Sequence, residues 1–244
     1  MFAVSVSGVV LVFLLHHTTL DTVNGQNIDS NTLARIFTFF EQNYKIVENE
    51  AERQYALAIN VLKEQCQDGF IKDKFLTHEN PEKVKSDMSN EEDPVYEGTD
   101  LIGAGTKVKG RYKIHSESLL LNLKKKERTT TPMQDLLNRR NVDSCTVFYT
   151  LNSPCANTCL DKNSKYNILH GLETWSAHPS IKALVFKQIW KFDKERKEVF
   201  EAALREIVNR NVPVYRCINE TNVNVCYACG GIDDAPIDEH CLHN

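Results

Sequence analysis

The sequence lacks a strong excess of charge of either sign, an internal repeat and a low-complexity tract. With 29 basic and 33 acidic residues, the formal net charge is −4, which excludes a protein that binds nucleic acid through an overall positive charge. Hydrophobic residues make up 41% and charged residues 25% of the 244 positions, as in ordinary globular proteins and unlike disordered or fibrous chains. A chain of this length forms one well-packed domain or two small ones.

Long hydrophobic runs are absent beyond one at the amino terminus. Residues 4–15 are almost unbroken apolar sequence, too short to span a bilayer comfortably and typical of the core of a secretory signal. Val23 and Gly25 are small residues suited to a cleavage site after Gly25. No lysine or arginine precedes the run, so an uncleaved anchor and a buried strand are the alternatives. We predict a signal peptide over 1–25, secretion to the extracellular space, and no membrane attachment after cleavage.

Eight cysteines are the unusual part of the composition. In a chain of this length they predict disulfides, a metal site or both, and Cys155 and Cys159 belong to a motif described below. The other six suit disulfides in a secreted protein, and the sequence does not choose among their pairings. They are Cys66, Cys145, Cys217, Cys226, Cys229 and Cys241. The alternative is a second metal site, because His240 and His243 lie close to three of these cysteines.

Hydrophobic spacing in the amino-terminal half predicts one helix and an acidic loop. A helix from Ser30 to about Tyr44 falls within an amino-terminal segment, 26–50. Apolar residues at 55–62 fit either a strand or more helix. Residues 79–100 carry eight acidic residues against two lysines, which predicts a solvated loop.

The charge balance reverses immediately after the predicted acidic loop. Residues 106–128 carry eight basic residues against two acidic ones. The ordinary interpretation of such a run is a solvated face. Its position around the motif below gives it a second interpretation, a surface that leads phosphates towards a site.

From Cys145 onward, strands and helices alternate. The predicted elements are a strand at 145–150, a helix at 166–175, a strand at 181–190, a helix capped by Asp193 and a strand at 212–218. This alternation predicts an α/β sandwich whose sheet is covered by helices. Residues 51–218 form the predicted main domain, and 219–244 form a cysteine-rich tail without regular structure. Within that tail, Asn219 begins a standard N-glycosylation acceptor.

Two short motifs carry the chemistry. His115-Ser116-Glu117 precedes an apolar helical segment, and Ser153-Pro154-Cys155 is followed by Cys159. One histidine and two cysteines are the donors of a zinc site whose fourth position is open, as in catalytic zinc proteins. A helix that begins at Pro154 would place both sulfurs on one face. Glu117 is suited to carry protons in a hydrolytic reaction.

In this order, the two motifs resemble those of the AID/APOBEC branch of the cytidine deaminase superfamily, whose signature pairs His-x-Glu with Pro-Cys and a second cysteine. The stretches Tyr112-Lys-Ile-His-Ser-Glu-Ser-Leu-Leu-Leu and Tyr149-Thr-Leu-Asn-Ser-Pro-Cys resemble most closely the secreted AID/APOBEC-like deaminases of ray-finned fishes. The resemblance covers roughly residues 55–218. It implies a cytidine-deaminase-like three-layer sandwich with a five-stranded mixed sheet flanked by helices, and hydrolysis of cytosine to uracil.

The resemblance also implies roles for single residues. His115, Cys155 and Cys159 would hold one Zn²⁺ per chain, and Glu117 would transfer protons. The family places aromatic residues in the loop after its fourth strand, where this chain has Trp190, Lys191 and Phe192. Aromatic rings beside a cation grip single strands by stacking, although Trp190 packed in the core is the alternative. Asn152 and Ser153 stand where the family has tryptophan and serine, so an aromatic contact with the base is missing.

The function predicted from these features is a secreted zinc-dependent cytosine deaminase, a hydrolase acting on single-stranded nucleic acid, for example in immune defence. One alternative is a deaminase of free cytidine. A second is a secreted binding protein that retains the fold and a structural zinc without catalysis. A third is an extracellular ligand in which Cys155 and Cys159 are bridged.

Overall fold

The computed structural model describes residues 27–123, 128–230 and 236–243. The predicted signal peptide at 1–25 lies outside this range, as do three lysines of the basic stretch, at 124–126. Among the described residues, no helix combines the length and apolar character that a membrane span requires.

The described part of the chain alternates helices and strands. The helices are α1 (Ser30–Asn43), α2 (Pro81–Met88), α3 (Ser116–Leu121), α4 (Pro132–Asn138), α5 (Leu169–Ser176), α6 (Lys197–Val208) and α7 (Glu239–Leu242), with short 3-10 helices at Lys63–Cys66 and Lys72–Lys74. The strands are β1 (Val47–Glu48), β2 (Ala51–Glu52), β3 (Tyr55–Leu62), β4 (Val95–Glu97), β5 (Leu101–Gly105), β6 (Lys107–Lys109), β7 (Tyr112–Ile114), β8 (Ser144–Asn152), β9 (Ile181–Gln188), β10 (Val214–Glu220) and β11 (Val223–Ala228). β1 pairs with β2, and β6 with β7, as separate hairpins.

A mixed sheet in the order β11-β10-β9-β8-β3-β5-β4 forms the middle layer. β8, β9 and β10 are parallel to one another, and the other neighbouring pairs are antiparallel. One apolar core lies between the sheet and α1 and α2, and a second lies between the opposite face and α3 to α6. The predicted α/β three-layer sandwich is therefore confirmed.

The sheet has seven strands, two more than the resemblance implies. The interior strand β3 is buried from Tyr55 to Val61, because helices cover both faces of the sheet there and every side chain must be accommodated in an apolar layer. The edge strands are β4 and β11. They lie in the two regions for which composition predicted no regular structure.

The predicted acidic loop at 79–100 is wrong, because it contains α2 and β4. The Asn80 side chain accepts a hydrogen bond from the Lys83 backbone N–H, and Pro81 occupies the first turn, a combination that starts helices. Val84 and Met88 are buried. These two apolar residues, four positions apart, anchor one face of the helix while its acidic residues face solvent.

The predicted irregular tail is also wrong, because it contains the end of β10, the strand β11 and the helix α7. β10 and β11 form an antiparallel hairpin in which Cys217 lies directly opposite Cys226. Three disulfides join the six remaining cysteines: Cys66 to Cys145, Cys217 to Cys226, and Cys229 to Cys241. The alternative of a second metal site fails, since each of its cysteines is part of a disulfide.

The Cys66–Cys145 disulfide should contribute more to stability than the Cys217–Cys226 disulfide. The first closes a separation of 79 residues and the second a separation of 9. The chain-entropy model gives about 4.5 kcal/mol for the longer loop and about 2.5 kcal/mol for the shorter one. Urea unfolding of the two double-alanine variants should therefore show the larger loss for Cys66→Ala/Cys145→Ala. Equal losses would contradict the entropic explanation.

Candidate active site and metal centre

The motif residues meet beyond the carboxyl end of β8, where ligands bind in many sheets with parallel strands. β8 ends at Asn152, and the chain then turns through Cys155 to Cys159. His115 directly precedes α3 and approaches the same turn from the other side. Residues separated by about one fifth of the chain are thereby brought together.

Three donor atoms form a compact group. His115 Nδ1 lies 3.2 Å from Cys159 Sγ and 3.5 Å from Cys155 Sγ, and the two sulfurs are 3.4 Å apart. Both cysteines are free and buried. A disulfide needs sulfurs about 2.05 Å apart, so the alternative of a bridged Cys155–Cys159 pair is not what the structure shows. The group could hold a metal ion, and within the described residues it is the one such His/Cys/Asp/Glu cluster.

The segment that carries the two cysteines is a single helical turn. The backbone N–H of Cys159 donates to the carbonyl of Cys155 at 3.0 Å, which places both sulfurs on the same side. The predicted helix from Pro154 is wrong in extent, because the turn does not continue. Asp161 Oδ1 accepts from the Asn163 backbone N–H, and such a local bond competes with helix propagation.

Glu117 lies in the first turn of α3 and is 2% exposed. Its Oε1 accepts a hydrogen bond from the Thr150 hydroxyl at 2.8 Å, and its Oε2 accepts one from the Ser116 hydroxyl at 3.2 Å. Burial raises the pKa of this carboxyl, and the nearby His115 opposes that rise. A carboxyl group whose pKa is raised in this way holds a proton more readily than an exposed one, which suits a group that accepts and returns protons.

Hydrogen bonds around the two thiols shift their pKa values in opposite directions. The hydrogen bond from Cys159, ahead of that from His115, holds the pKa of the Cys155 thiol well below its usual range. The same bond, with burial, raises the pKa of the Cys159 thiol. One thiolate is therefore favoured before any metal binds, and thiolate is the form that a metal requires.

These residues line a cleft of about 540 Å³, hereafter the active-site cleft, whose wall includes His115, Glu117 and Cys155. The predicted contact residues Asn152, Ser153, Trp190 and Lys191 line it as well.

A family model described as Secreted Novel AID/APOBEC-like Deaminase 1 matches residues 30–244. The chain belongs to this family. The match begins at α1 and includes the β10–β11 hairpin and α7. No curated protein and no solved structure matched the chain.

In this member of the family, the loop after β9 lies beside the His115, Cys155 and Cys159 donor group. The rings of His115 and Trp190 are 6.1 Å apart, and those of Trp190 and Phe192 are 5.4 Å apart. Trp190 is half-buried against the core and also borders the cleft. Its core packing is therefore observed, and its contact with a substrate stays a prediction. Phe192 is 62% exposed, with Lys191 Nζ 4.8 Å from its ring centre.

Ser153 has a different role from the one predicted. Its buried hydroxyl accepts a hydrogen bond from the Trp190 backbone N–H at 2.9 Å. The hydroxyl therefore fixes the start of the aromatic loop, and substrate contact by this side chain stays a prediction. β9 ends at Gln188, two residues short of the predicted strand.

Asp193 does not cap a helix, since α6 begins four residues later. Its buried carboxylate accepts from the Ala156 backbone N–H at 3.1 Å and from the Arg196 guanidinium at 2.5 Å. Burial raises the pKa of this carboxyl, and those two donors oppose the rise. Asp193 therefore ties the turn of the two cysteines to the aromatic loop.

Gln54 is a site residue that sequence reasoning missed. Immediately before β3, its Nε2 donates to Thr150 Oγ1 at 2.9 Å and to Glu117 Oε1 at 3.2 Å. Its Oε1 accepts from the backbone and side-chain nitrogens of Asn152 at 3.0 and 2.6 Å. Gln54 thus orients Glu117 and the end of β8 together. The sequence holds one clue to Thr150, which is a polar residue in a strand predicted to be buried. It holds no clue to Gln54.

Proposed function

We propose that the protein is a secreted zinc-dependent deaminase that hydrolyses cytosine to uracil in single-stranded polynucleotide. One observation carries this proposal: a cluster of one histidine and two cysteines that could hold a metal lies at the same cleft as a buried, hydrogen-bonded glutamate. Membership of a deaminase family supports it.

Zinc fits the donor group. Zinc bonds of about 2.3 Å to sulfur and 2.0–2.1 Å to nitrogen give a tetrahedron with edges of roughly 3.5–3.8 Å. The observed separations are 3.2–3.5 Å, so small side-chain shifts complete the geometry. One histidine and two cysteines also leave a fourth position for water or substrate in tetrahedral coordination. We therefore assign zinc to His115, Cys155 and Cys159.

Hydrolytic deamination adds water to C4 of cytosine and releases ammonia from the same carbon, so protons must move from water to the ring nitrogen and to the departing amine. Zinc, when bound, is a Lewis acid that makes water more acidic. Glu117 is placed to accept the proton from water and return it to the ring nitrogen and the amine. The Thr150 hydroxyl and the Gln54 amide donate hydrogen bonds to its Oε1, which fixes the orientation of the carboxylate.

A polynucleotide substrate is supported by the residues around the cleft. Trp190, Lys191 and Phe192 present aromatic rings with a cation over them, an arrangement that stacks unpaired bases. Asn152 offers amide contacts in place of the tryptophan of the wider family. The side-chain amide of Asn152 already donates a hydrogen bond to Gln54 Oε1. A base that contacts this amide would therefore have to share it with Gln54.

Secretion is part of the same proposal. Three disulfides are the usual mark of an oxidising compartment, and the family description itself says secreted. Asn219 is exposed near the tip of the β10–β11 hairpin, where an N-linked glycan could be attached. Secretion of the full chain by cultured cells, with a mass that falls on enzymatic deglycosylation, would support both points.

The experiment that tests the function compares the wild type with Glu117→Ala on single-stranded DNA, single-stranded RNA and free cytidine. Uracil formation by the wild type alone supports the proposal, and the substrate panel separates polymer from nucleoside. If neither protein forms uracil although both carry zinc, the non-catalytic binding protein becomes the better explanation.

Gln54→Ala should lower kcat by about tenfold to a hundredfold, because hydrogen bonds to charged groups contribute about 1.5–3 kcal/mol. KM should change less, since the substituted side chain orients Glu117. Gln65→Ala, at the opposite end of β3, is the matched control, and its kcat should equal that of the wild type. A Gln54→Ala enzyme with normal kcat would show that Thr150 alone orients the glutamate.

A further inference from the structure

The β6–β7 hairpin divides the surface beside the active-site cleft into two sides. Val108 lies opposite Lys113 in this hairpin, and both line the cleft. The neighbouring positions point to the other face, because side chains alternate along a strand. That face carries Lys107, Lys109 and Ile114, which line a second cavity of about 400 Å³.

The second cavity, hereafter the lysine cavity, is defined by Lys107, Lys109 and Lys165. Asp93 is the one acidic residue among its lining residues. Within the described residues, neither Lys107 nor Lys109 has an ion-pair partner, and Lys165 lies over the ring of Tyr166 at 4.8 Å. Three lysines and one carboxylate give the cavity a net positive charge. The proposed deamination step assigns no role to this charge.

The crest of the hairpin joins the two sides with further cations. Gly110 has a φ of +62°, a conformation that suits a two-residue hairpin turn, and a Cβ there would meet nothing within 4 Å. The next residue, Arg111, is exposed, and Tyr112 is 72% exposed. Lys113 and Lys191 are on the cleft side. Cations therefore run from the cleft across the crest to the lysine cavity, with an exposed aromatic ring between them.

We propose that the lysine cavity binds phosphates of a single-stranded polynucleotide whose target base lies in the active-site cleft, the strand crossing the β6–β7 hairpin. This inference rests on the proposed function and deepens it, since a free nucleoside has no phosphate to reach the cavity. The phosphates of one strand are spaced along its backbone, and the cations are spaced from the cleft across the crest to the lysine cavity. Several phosphates of the same strand can therefore each meet a cation. Tyr112 is positioned to stack on a base as the strand crosses.

The test measures binding without turnover, in a Glu117→Gln background. Fluorescence anisotropy reports binding of a cytosine-containing DNA of about 16 nucleotides, the upper range of single-strand footprints, and of one of about 4 nucleotides. Lys107→Ala/Lys109→Ala/Lys165→Ala should bind the long strand about tenfold more weakly. Its log–log salt slope should fall by about 2, since each phosphate contact on a single strand contributes about 0.7. Binding of the short strand should stay unchanged.

Lys63→Ala/Lys72→Ala/Lys74→Ala is the matched control, because it removes the same charge from the two 3-10 helices that follow the far end of β3. Its binding of the long strand should equal that of the parent. Equal losses in the two triple variants, or no loss in either, would overturn the inference. The inference would also be overturned if the Lys107→Ala/Lys109→Ala/Lys165→Ala variant lost only the binding of inorganic phosphate, measured by calorimetry, and still bound the long strand like the parent. That result would identify a site for free phosphate. Because no step requires catalysis, this result and the deaminase assay fail independently.

Discussion

Glu117→Gln is expected to reduce uracil formation by about a hundredfold to ten-thousandfold, the contribution of a well-placed general acid–base group. The amide has almost the shape of the carboxylate and keeps the contact with the Thr150 hydroxyl, but it cannot accept and return a proton. Zinc content should stay at one per chain, since Glu117 is not among the donors of the metal cluster.

The control for this variant is Glu64→Gln, an exposed carboxylate in the 3-10 helix after β3. Its activity and zinc content should both equal those of the wild type. Glu117→Gln with normal turnover would show that the buried glutamate does not transfer the proton. A variant that loses zinc as well would place Glu117 among the groups that hold the metal.

Loss of the metal is expected to have an equally large effect, on stability as well as activity. Cys155 and Cys159 are buried in the core between α3, α5 and the sheet, so the binding free energy of zinc adds to the folding free energy. If zinc contributes several kcal/mol, its removal should lower Tm on the order of 10 °C for a domain of this size. His115→Ala should show this loss by metal analysis and calorimetry.

His170→Ala is the matched control, because His170 is an exposed histidine on α5. Its zinc content and Tm should equal those of the wild type. If a chelator removes zinc from the wild type without any change in Tm, the metal does not contribute to the fold. If His115→Ala retains stoichiometric zinc, the assignment of the ligands is wrong.

The layered fold was predictable from local patterns that the tertiary structure reinforces. The apolar runs of β8 and β9 predict buried strands, whereas the run of β3 fitted either a strand or a helix. All three occupy the middle of the sheet. The edge elements were not predictable in this way. α2 has only two buried positions among its eight residues, too few to outweigh an acidic composition in a sequence pattern, although they are enough to anchor one helical face.

The metal ligands were predictable because their chemistry depends on short spacings. The spacing of four positions from Cys155 to Cys159 corresponds to one helical turn, and one turn is what the structure contains, even though no helix follows it. The place of His115 was predictable because the apolar segment that follows it indicated a helix, and α3 does begin at the next residue.

The groups that orient Glu117 were not predictable from local sequence. Gln54 and Thr150 are 96 residues apart in the chain, and they meet because β3 and β8 are adjacent and antiparallel. The pairing of the six structural cysteines depends in the same way on the sheet. Cys217 and Cys226 become partners only once β10 and β11 are in register.

The most direct test of the central claim is one assay on one sample of known zinc content. A single-stranded oligonucleotide with one cytosine is incubated with the wild type and with Glu117→Gln, and conversion to uracil is measured by mass spectrometry. The account predicts one zinc per chain in both proteins and conversion by the wild type alone. Stoichiometric zinc in a folded wild type that converts no more cytosine than the variant, in DNA, RNA or free cytidine, would contradict it.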